Sequence, residues 1–202
     1  MAPRLIAAGI PDLLPMERGG EPGCHISAII RSLCLRLGHF EDGGEIDEKQ
    51  QTRMELGCAF EDAVAKALAA RWAKAYPDRY AQPGEMEKDG LIGTMDLLDV
   101  IDWAAVEIKL TWMSSRHEIE SVKFWRYWAQ LKAYCYMAET RIGRLHIGHI
   151  NGNYRDDRGP NYNVWEDEFS KQALAENWRM LITHAEVMRT GKVGARLRAK
   201  HR

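Results

Sequence analysis

Long apolar runs are missing from this sequence. The longest, such as Leu5 to Ile10, extend over a few residues against the ~20 that a membrane-spanning helix needs, which excludes a helical spanning role. Pro11, Asp12 and Pro15 break the apolar patch near the N-terminus before a secretory segment forms, so an intracellular, cytoplasmic protein is expected. Cysteine is scarce. Cys24, Cys34, Cys58 and Cys135 make no CxxC pair and the histidines form no cluster with them, which predicts four free thiols acting as small buried apolar residues. Net charge is nearly absent too: 28 Lys+Arg stand against 29 Asp+Glu, so any nucleic-acid role must come from a local site rather than a strongly basic surface. Repeats are also lacking. What is present, 202 residues of which 46% are hydrophobic, suffices for one domain with a sizeable core. That domain is read as residues 1–190, and residues 191–202 as a basic tail carrying Lys192, Arg196, Arg198, Lys200 and Arg202.

Periodicity sets the elements. Ile26, Ile29, Ile30, Leu33 and Leu37 fall at helical spacing over 25–38, with Gly38 placed to end the helix. Glu41 to Gln51 reads as an exposed polar loop, and Thr52 to Ala75 as a second helix through Phe60, Val64 and Leu68, stopped by Pro77. The period then changes. Asp89-Gly90 is a hairpin dipeptide, and Leu91 to Ile101 and Ala104 to Trp112 read as antiparallel strands joined by a turn near Asp102. A helix over 115–139 follows, then strands at Arg144 to Ile150 and Tyr162 to Trp165 around a loop at 151–161. A last helix from Asp167 to Thr190 ends at Gly191. This order predicts an α/β (α+β) fold, a central mixed sheet flanked by helices.

The chemistry concentrates on the central strands. In Val106-Glu107-Ile108-Lys109, alternation sends Glu107 and Lys109 to one face and Val106 and Ile108 to the other, which predicts one charged face and one core face. If the turn near Asp102 pairs the strands, Asp96 comes beside Glu107. Two such charges ~4 Å apart repel by about 4 kcal/mol at an effective dielectric of 20, so the pair calls for a cation between them. Carboxylate oxygens suit Mg²⁺ or Mn²⁺, ions that support phosphodiester hydrolysis, with Lys109 positioning or activating the nucleophile. A similar triplet, Asp47-Glu48-Lys49, lacks apolar flanks and reads as a solvated decoy in a polar loop. Glu61 follows Phe60 of the second helix and borders the core. On the helix over 115–139, Lys123, Tyr127, Gln130 and Tyr134 share a narrow arc, a candidate ligand face for bases and phosphates, apart from an apolar seam of Phe124, Trp128, Leu131, Cys135 and Ala138. Trp112, Trp125 and Trp128 surround the presumed site, where aromatic rings can contact bases, but core is the favoured reading for them, and His117, His146 and His149 are read as structural or surface residues.

The ordered set Gly57-x-x-x-Glu61, Gly93-x-x-Asp96, Glu107-Ile108-Lys109 and Gln130-x-x-x-Tyr134 resembles the PD-(D/E)XK nuclease superfamily, in its RecB-like and YqaJ or lambda-exonuclease-like branch. The resemblance covers about residues 52–139. It implies a restriction-endonuclease-like core, with Asp96, Glu107 and the main-chain carbonyl of Ile108 as metal ligands and Lys109 as the catalytic lysine. Glu61 is then a further metal ligand or a supporting carboxylate, and Gln130 and Tyr134 border the DNA end. Many RecB-like nucleases carry histidine where Glu61 stands, and the glutamate is closer to the YqaJ-like branch. With no late cysteine beyond Cys135, no iron–sulfur cluster is predicted.

These residues lead to a Mg²⁺- or Mn²⁺-dependent DNA nuclease, an exonuclease acting at DNA ends in recombination, repair or phage DNA processing, in a bacterial cell or phage-infected host. A recombinase, helicase or single-strand-binding protein is the partner class the family implies. Two rivals stand beside it: a nuclease-fold DNA-binding or assembly module working with a helicase or recombinase, and a metal-dependent phosphoesterase for RNA or nucleotides. Replacing Lys109 or Asp96 by alanine is expected to remove cleavage and leave folding intact.

Overall fold

The computed structural model describes residues 24–39, 48–151 and 160–191. The expectations for Leu5 to Ile10, Asp47 and the tail residues 192–202 lie outside these, as do most of the loops at 41–51 and 151–161. The elements are α1 (Ile26–Arg36), α2 (Glu48–Trp72), β1 (Tyr80–Ala81), β2 (Glu85–Lys88), β3 (Leu91–Thr94), β4 (Leu97–Asp99), β5 (Ala104–Thr111), a 3₁₀ turn (Val122–Phe124), α3 (Trp125–Met137), β6 (Ile142–His149), β7 (Asn161–Glu168) and α4 (Lys171–Thr190). The main sheet runs β1-β4-β5-β6-β7, with β5 and β6 parallel and the other neighbours antiparallel. α3 is the crossover between the parallel strands. This is the mixed sheet flanked by helices that the sequence predicts.

Each side of the sheet is covered because each has an apolar set to bury. Phe60, Val64, Ala65 and Leu68 of α2 pack on Leu97, Val106 and Ile108. On the opposite side α3 lies on Leu145 and Ile147, with α1 and α4 outside it, and Ile26, Ile29, Leu131, Trp178 and Leu181 join this larger core. Five consecutive β5 residues, Ala104 to Ile108, are therefore fully buried. The expected charged face is covered as thoroughly as the core face, a correction that decides how the site works. In the β2–β3 hairpin, Asp89 and Gly90 both take positive φ, 52° and 73°, as a tight two-residue turn requires. Trp178 Nε1 donates to Asp89 Oδ2 at 2.9 Å and ties α4 to that turn.

Several boundaries differ from the sequence reading. α2 begins at Glu48, so Glu48 and Lys49 sit in its exposed first turn rather than in a loop. Leu91 to Ile101 is not one strand: β3 pairs with β2, and β4 with β1 and β5. Residues 115–121 are non-helical, and Trp128 Nε1 reaches back to the Ile119 carbonyl. β7 continues to Glu168, so α4 starts at Lys171, capped by Ser170 Oγ accepting from Ala173 N at 3.0 Å. Leu37 is 45% exposed as the α1 cap and not part of its buried stripe. Cys34 and Cys135 are buried, but Cys24 and Cys58 are only half-buried.

An ion network that no local pattern announces joins the strands at one end of the sheet. The fully buried Asp99 carboxylate accepts from Arg79 at 2.8 Å and Arg144 at 2.5 Å, and from the backbone N–H groups of Ile101 and Asp102. Both arginines also reach Asp102, and Arg144 continues to Glu166. Two residues along β6 from Arg144, His146 is buried, with its Nδ1 2.7 Å from the Tyr162 hydroxyl. Burial, helped by the Arg144 charge, holds the His146 pKa down to about 4. An unfolded chain takes up that proton near pH 6.5 and the folded one only near 4. The contribution is therefore intact above pH 6.5 and is lost as pH falls through the window to 4, by about 3 kcal/mol in all. Urea titrations at pH 7.5, 5.5 and 4 are expected to show this decline, reduced in His146→Gln; an unchanged slope in that variant contradicts it.

Candidate active site

The site arises where β5 outlasts its neighbour. β4 pairs Leu97 with Val106 and stops, so the next outward-facing backbone group on that edge, at Ile108, meets no strand. Side chains take over. Ile108 N–H donates to Asp96 Oδ2 at 2.6 Å, and the Ile108 carbonyl accepts from Lys109 Nζ at 2.8 Å. Lys109 Nζ also lies 2.6 Å from Glu107 Oε1, 2.9 Å from Glu61 Oε1 and 3.8 Å from Asp96 Oδ2. Glu61 arrives from α2, one residue after Phe60 of its packed stripe. Residues from α2, the β3–β4 link and β5 thus converge on one ammonium.

The electrostatics are out of balance. Three carboxylates face one lysine, which leaves two negative charges uncompensated when all are ionised. Glu107 is 0% exposed, and its Oε2 has no hydrogen-bond partner among the described residues. Burial pushes its carboxyl well above the usual range, against the pull of Lys109 and with the repulsion of Asp96. Burial works against the Lys109 charge, but Glu107, Glu61 and Asp96 together outweigh it and hold its pKa above that of an ordinary lysine. Among the described residues no three acidic, histidine or cysteine side chains are already arranged as a metal cage, because the Lys109 ammonium stands between them. The donor set nonetheless fits a hard dication: carboxylate oxygens, a main-chain carbonyl, an orphaned buried Oε2 and a surplus of negative charge.

The expected ligand face of α3 divides. Gln130 Nε2 donates to the Tyr134 hydroxyl at 2.9 Å. Tyr134 is buried beside the acids, and burial first, then the Glu107 charge, raises its pKa and keeps the phenol protonated. Its ring explains the motif glycine on β3, since a Cβ at Gly93 would lie 2.8 Å from Tyr134 Cε1 and from Ile26 Cδ1. Tyr127 is also buried, with its hydroxyl accepting from Arg126 at 2.7 Å, so it belongs to the core rather than to a ligand face. Lys123 lies before α3 in the 3₁₀ turn, exposed, 2.9 Å from His117 Nε2. Helical spacing gives the angle of a side chain and not what covers it, hence both corrections. Lys109 is no surface residue either: removing it strands the buried Glu107, so folding is not indifferent to Lys109→Ala as expected. A cleft of about 320 Å³ opens beside the cluster between α2 and the β1–β3 segment, lined by Glu61, Asp62, Gln82, Thr94 and Asp96 among others. Gln82 and Thr94 carry no sequence signal that marks them.

No family model matches the chain, and no curated protein does. Solved structures do. The crystal structure of LHK-Exo in complex with dAMP is similar with a TM-score of 0.50 and 16% identity, over 83% of this chain and 88% of that one. The alkaline exonuclease LHK-Exo from Laribacter hongkongensis gives 0.49 and 16% over the same shares, and a phage related exonuclease from Haemophilus somnus 129PT gives 0.48 and 11% over 79% and 78%. At this identity the likeness is one of fold alone: the chain shares the mixed-sheet fold of the LHK-Exo structure.

Proposed function

We propose that this protein is a divalent-metal-dependent DNA nuclease that hydrolyses phosphodiester bonds at DNA ends. The observation that carries the reading is the convergence of Asp96, Glu107, Glu61 and Lys109 on the unpaired Ile108 edge of β5. A largely buried surplus of carboxylates is costly to the fold, whereas it suits a dication that can in turn bind a phosphate. The names of the similar structures, exonucleases and one complex with dAMP, point the same way. Asp96, Glu107 and the Ile108 carbonyl would hold Mg²⁺ or Mn²⁺, with Glu61 as a further carboxylate, and the bound ion supplies Lewis-acid stabilisation of charge developing on the phosphate.

The chain's own groups do the rest. Water oxygen adds to phosphorus, one ester P–O bond breaks, and the proton that the water gives up ends on the leaving oxygen. Among the described residues Lys109 is the one cation of the cluster, placed to donate to a phosphate oxygen or orient the attacking water. Asp96 is fixed by the Ile108 N–H, which keeps one carboxylate oxygen in place before substrate arrives. The Gln130–Tyr134 hydrogen bond and the protonated phenol close the inner wall.

End-labelled linear duplex and a covalently closed circle, incubated with Mg²⁺, Mn²⁺ or EDTA, test this. Mononucleotides released from the linear substrate alone, and only with metal, are the expected result. Cleavage undiminished in EDTA contradicts the mechanism. Binding without cleavage favours the DNA-binding module that works with a helicase or recombinase, and preferential cutting of RNA the phosphoesterase.

A further inference from the structure

Arg53, Gly57 and Glu61 are four residues apart on α2, so they form a row within an arc of about 80° and along ~12 Å of helix. One end of the row is in the acid cluster. At the other the Arg53 guanidinium lies 5.3 Å over the indole of Trp112. Trp112 follows Lys109 by three residues on the β5 side, ~10 Å along an extended chain. Helix and strand therefore leave the cluster together and meet again at Arg53 and Trp112.

Between these ends stands a glycine that the fold does not explain. A Cβ at Gly57 would meet nothing within 4 Å among the described residues, whereas at Gly93 or Gly143 it would lie within 3 Å of a neighbouring side chain. Glycine weakens a helix interior relative to alanine, and among the described residues no close packing requires it here. A bare helix surface instead admits the close approach of another backbone. Among the described residues α2 has no fully buried residue before Ala65, although Phe60 packs on the sheet and Gly57 is half-buried. The Arg53 end of the row suits an anionic polymer. Arg53 offers planar donors to a phosphate, and the guanidinium and indole both stack on bases.

On the nuclease reading above, we propose that the Arg53–Gly57–Glu61 row is a track for one DNA strand. Its sugar–phosphate backbone runs against bare helix at Gly57, and Arg53 with Trp112 holds it about three nucleotides from the bond that is cut, at ~3.4 Å per nucleotide. Glu61 marks where the track enters the acid cluster.

Gly57→Leu tests it, because leucine favours the helix and fills the track. Its melting temperature is expected to rise by about 2–4 °C. Its affinity for a fluorescein-labelled thymidine octamer, read by anisotropy with Ca²⁺ in place of Mg²⁺, is expected to fall ~10-fold, with Gly57→Ala between it and wild type. A purely structural glycine gives the opposite pair, a lower melting temperature with binding unchanged. Arg53→Gln and Trp112→Ala are expected to cut the affinity gained on lengthening a dinucleotide to the octamer by ~10-fold, and Trp112→Phe to keep most of it. If wild type cuts DNA but Gly57→Leu binds the octamer within twofold of it, the track is overturned alone. If wild type neither binds nor cuts, the nuclease reading falls and the track with it.

Discussion

Asp96→Asn is expected to slow DNA cleavage by on the order of 10³-fold while its melting temperature stays near that of wild type. The amide oxygen of asparagine can still accept from Ile108 N–H, the 2.6 Å bond that anchors the side chain, so the local fold is kept. What disappears is one negative charge beside Glu107 and Lys109, and with it part of the demand for a dication. Lys109→Met loses cleavage for a different reason and behaves differently in a melt. It removes the partner 2.6 Å from the fully buried Glu107 carboxylate. Stability then falls unless Glu107 takes up a proton, so a lower melting temperature that recovers at acid pH is expected. Thermal melts beside single-turnover cleavage separate the two variants. Cleavage by Asp96→Asn within tenfold of wild type contradicts the assignment.

The largest effect on stability is expected far from this site. Asp99→Ala leaves Arg79 and Arg144 with only the exposed Asp102 of the two carboxylates they share and removes the acceptor for the Ile101 and Asp102 N–H groups. Breaking a buried pair costs about 3–5 kcal/mol, enough to unfold a marginally stable domain. Although burial opposes it, the Arg79 hydrogen bond and the two N–H groups hold the Asp99 carboxyl below the usual range, so the network acts as a charged anchor at neutral pH. Urea unfolding of Asp99→Ala beside Asp102→Ala measures this. The exposed Asp102 is expected to cost much less, and equal losses contradict the account.

The difference between these two sites also explains what could be read from the sequence. Asp96, Glu107 and Lys109 were legible because strand alternation and a turn near Asp102 fix their relative places over a dozen residues. Glu61 needed only one helix packed on that strand. The Asp99 network draws Arg79, Arg144 and Glu166 from separate elements, and their sequence spacing carries no period. Tyr127 and Tyr134 shared a helical arc with Gln130 as expected. Their burial depended on α1 and β3 closing over that arc, and the clue lay elsewhere, in the glycine at 93 that makes room for a ring. The stretch 115–121 looked helical by composition but is a loop, folded back by contacts such as the Trp128 indole on the Ile119 carbonyl.

The central claim is that the carboxylates around Ile108 take a divalent ion as well as Lys109. Titrating Mn²⁺ into wild type and Asp96→Asn, with free Mn²⁺ followed by electron paramagnetic resonance, tests it without relying on turnover. Saturable binding to wild type, weakened at least tenfold in the variant, is the expected result. Equal binding by both proteins, or none by wild type, would contradict it.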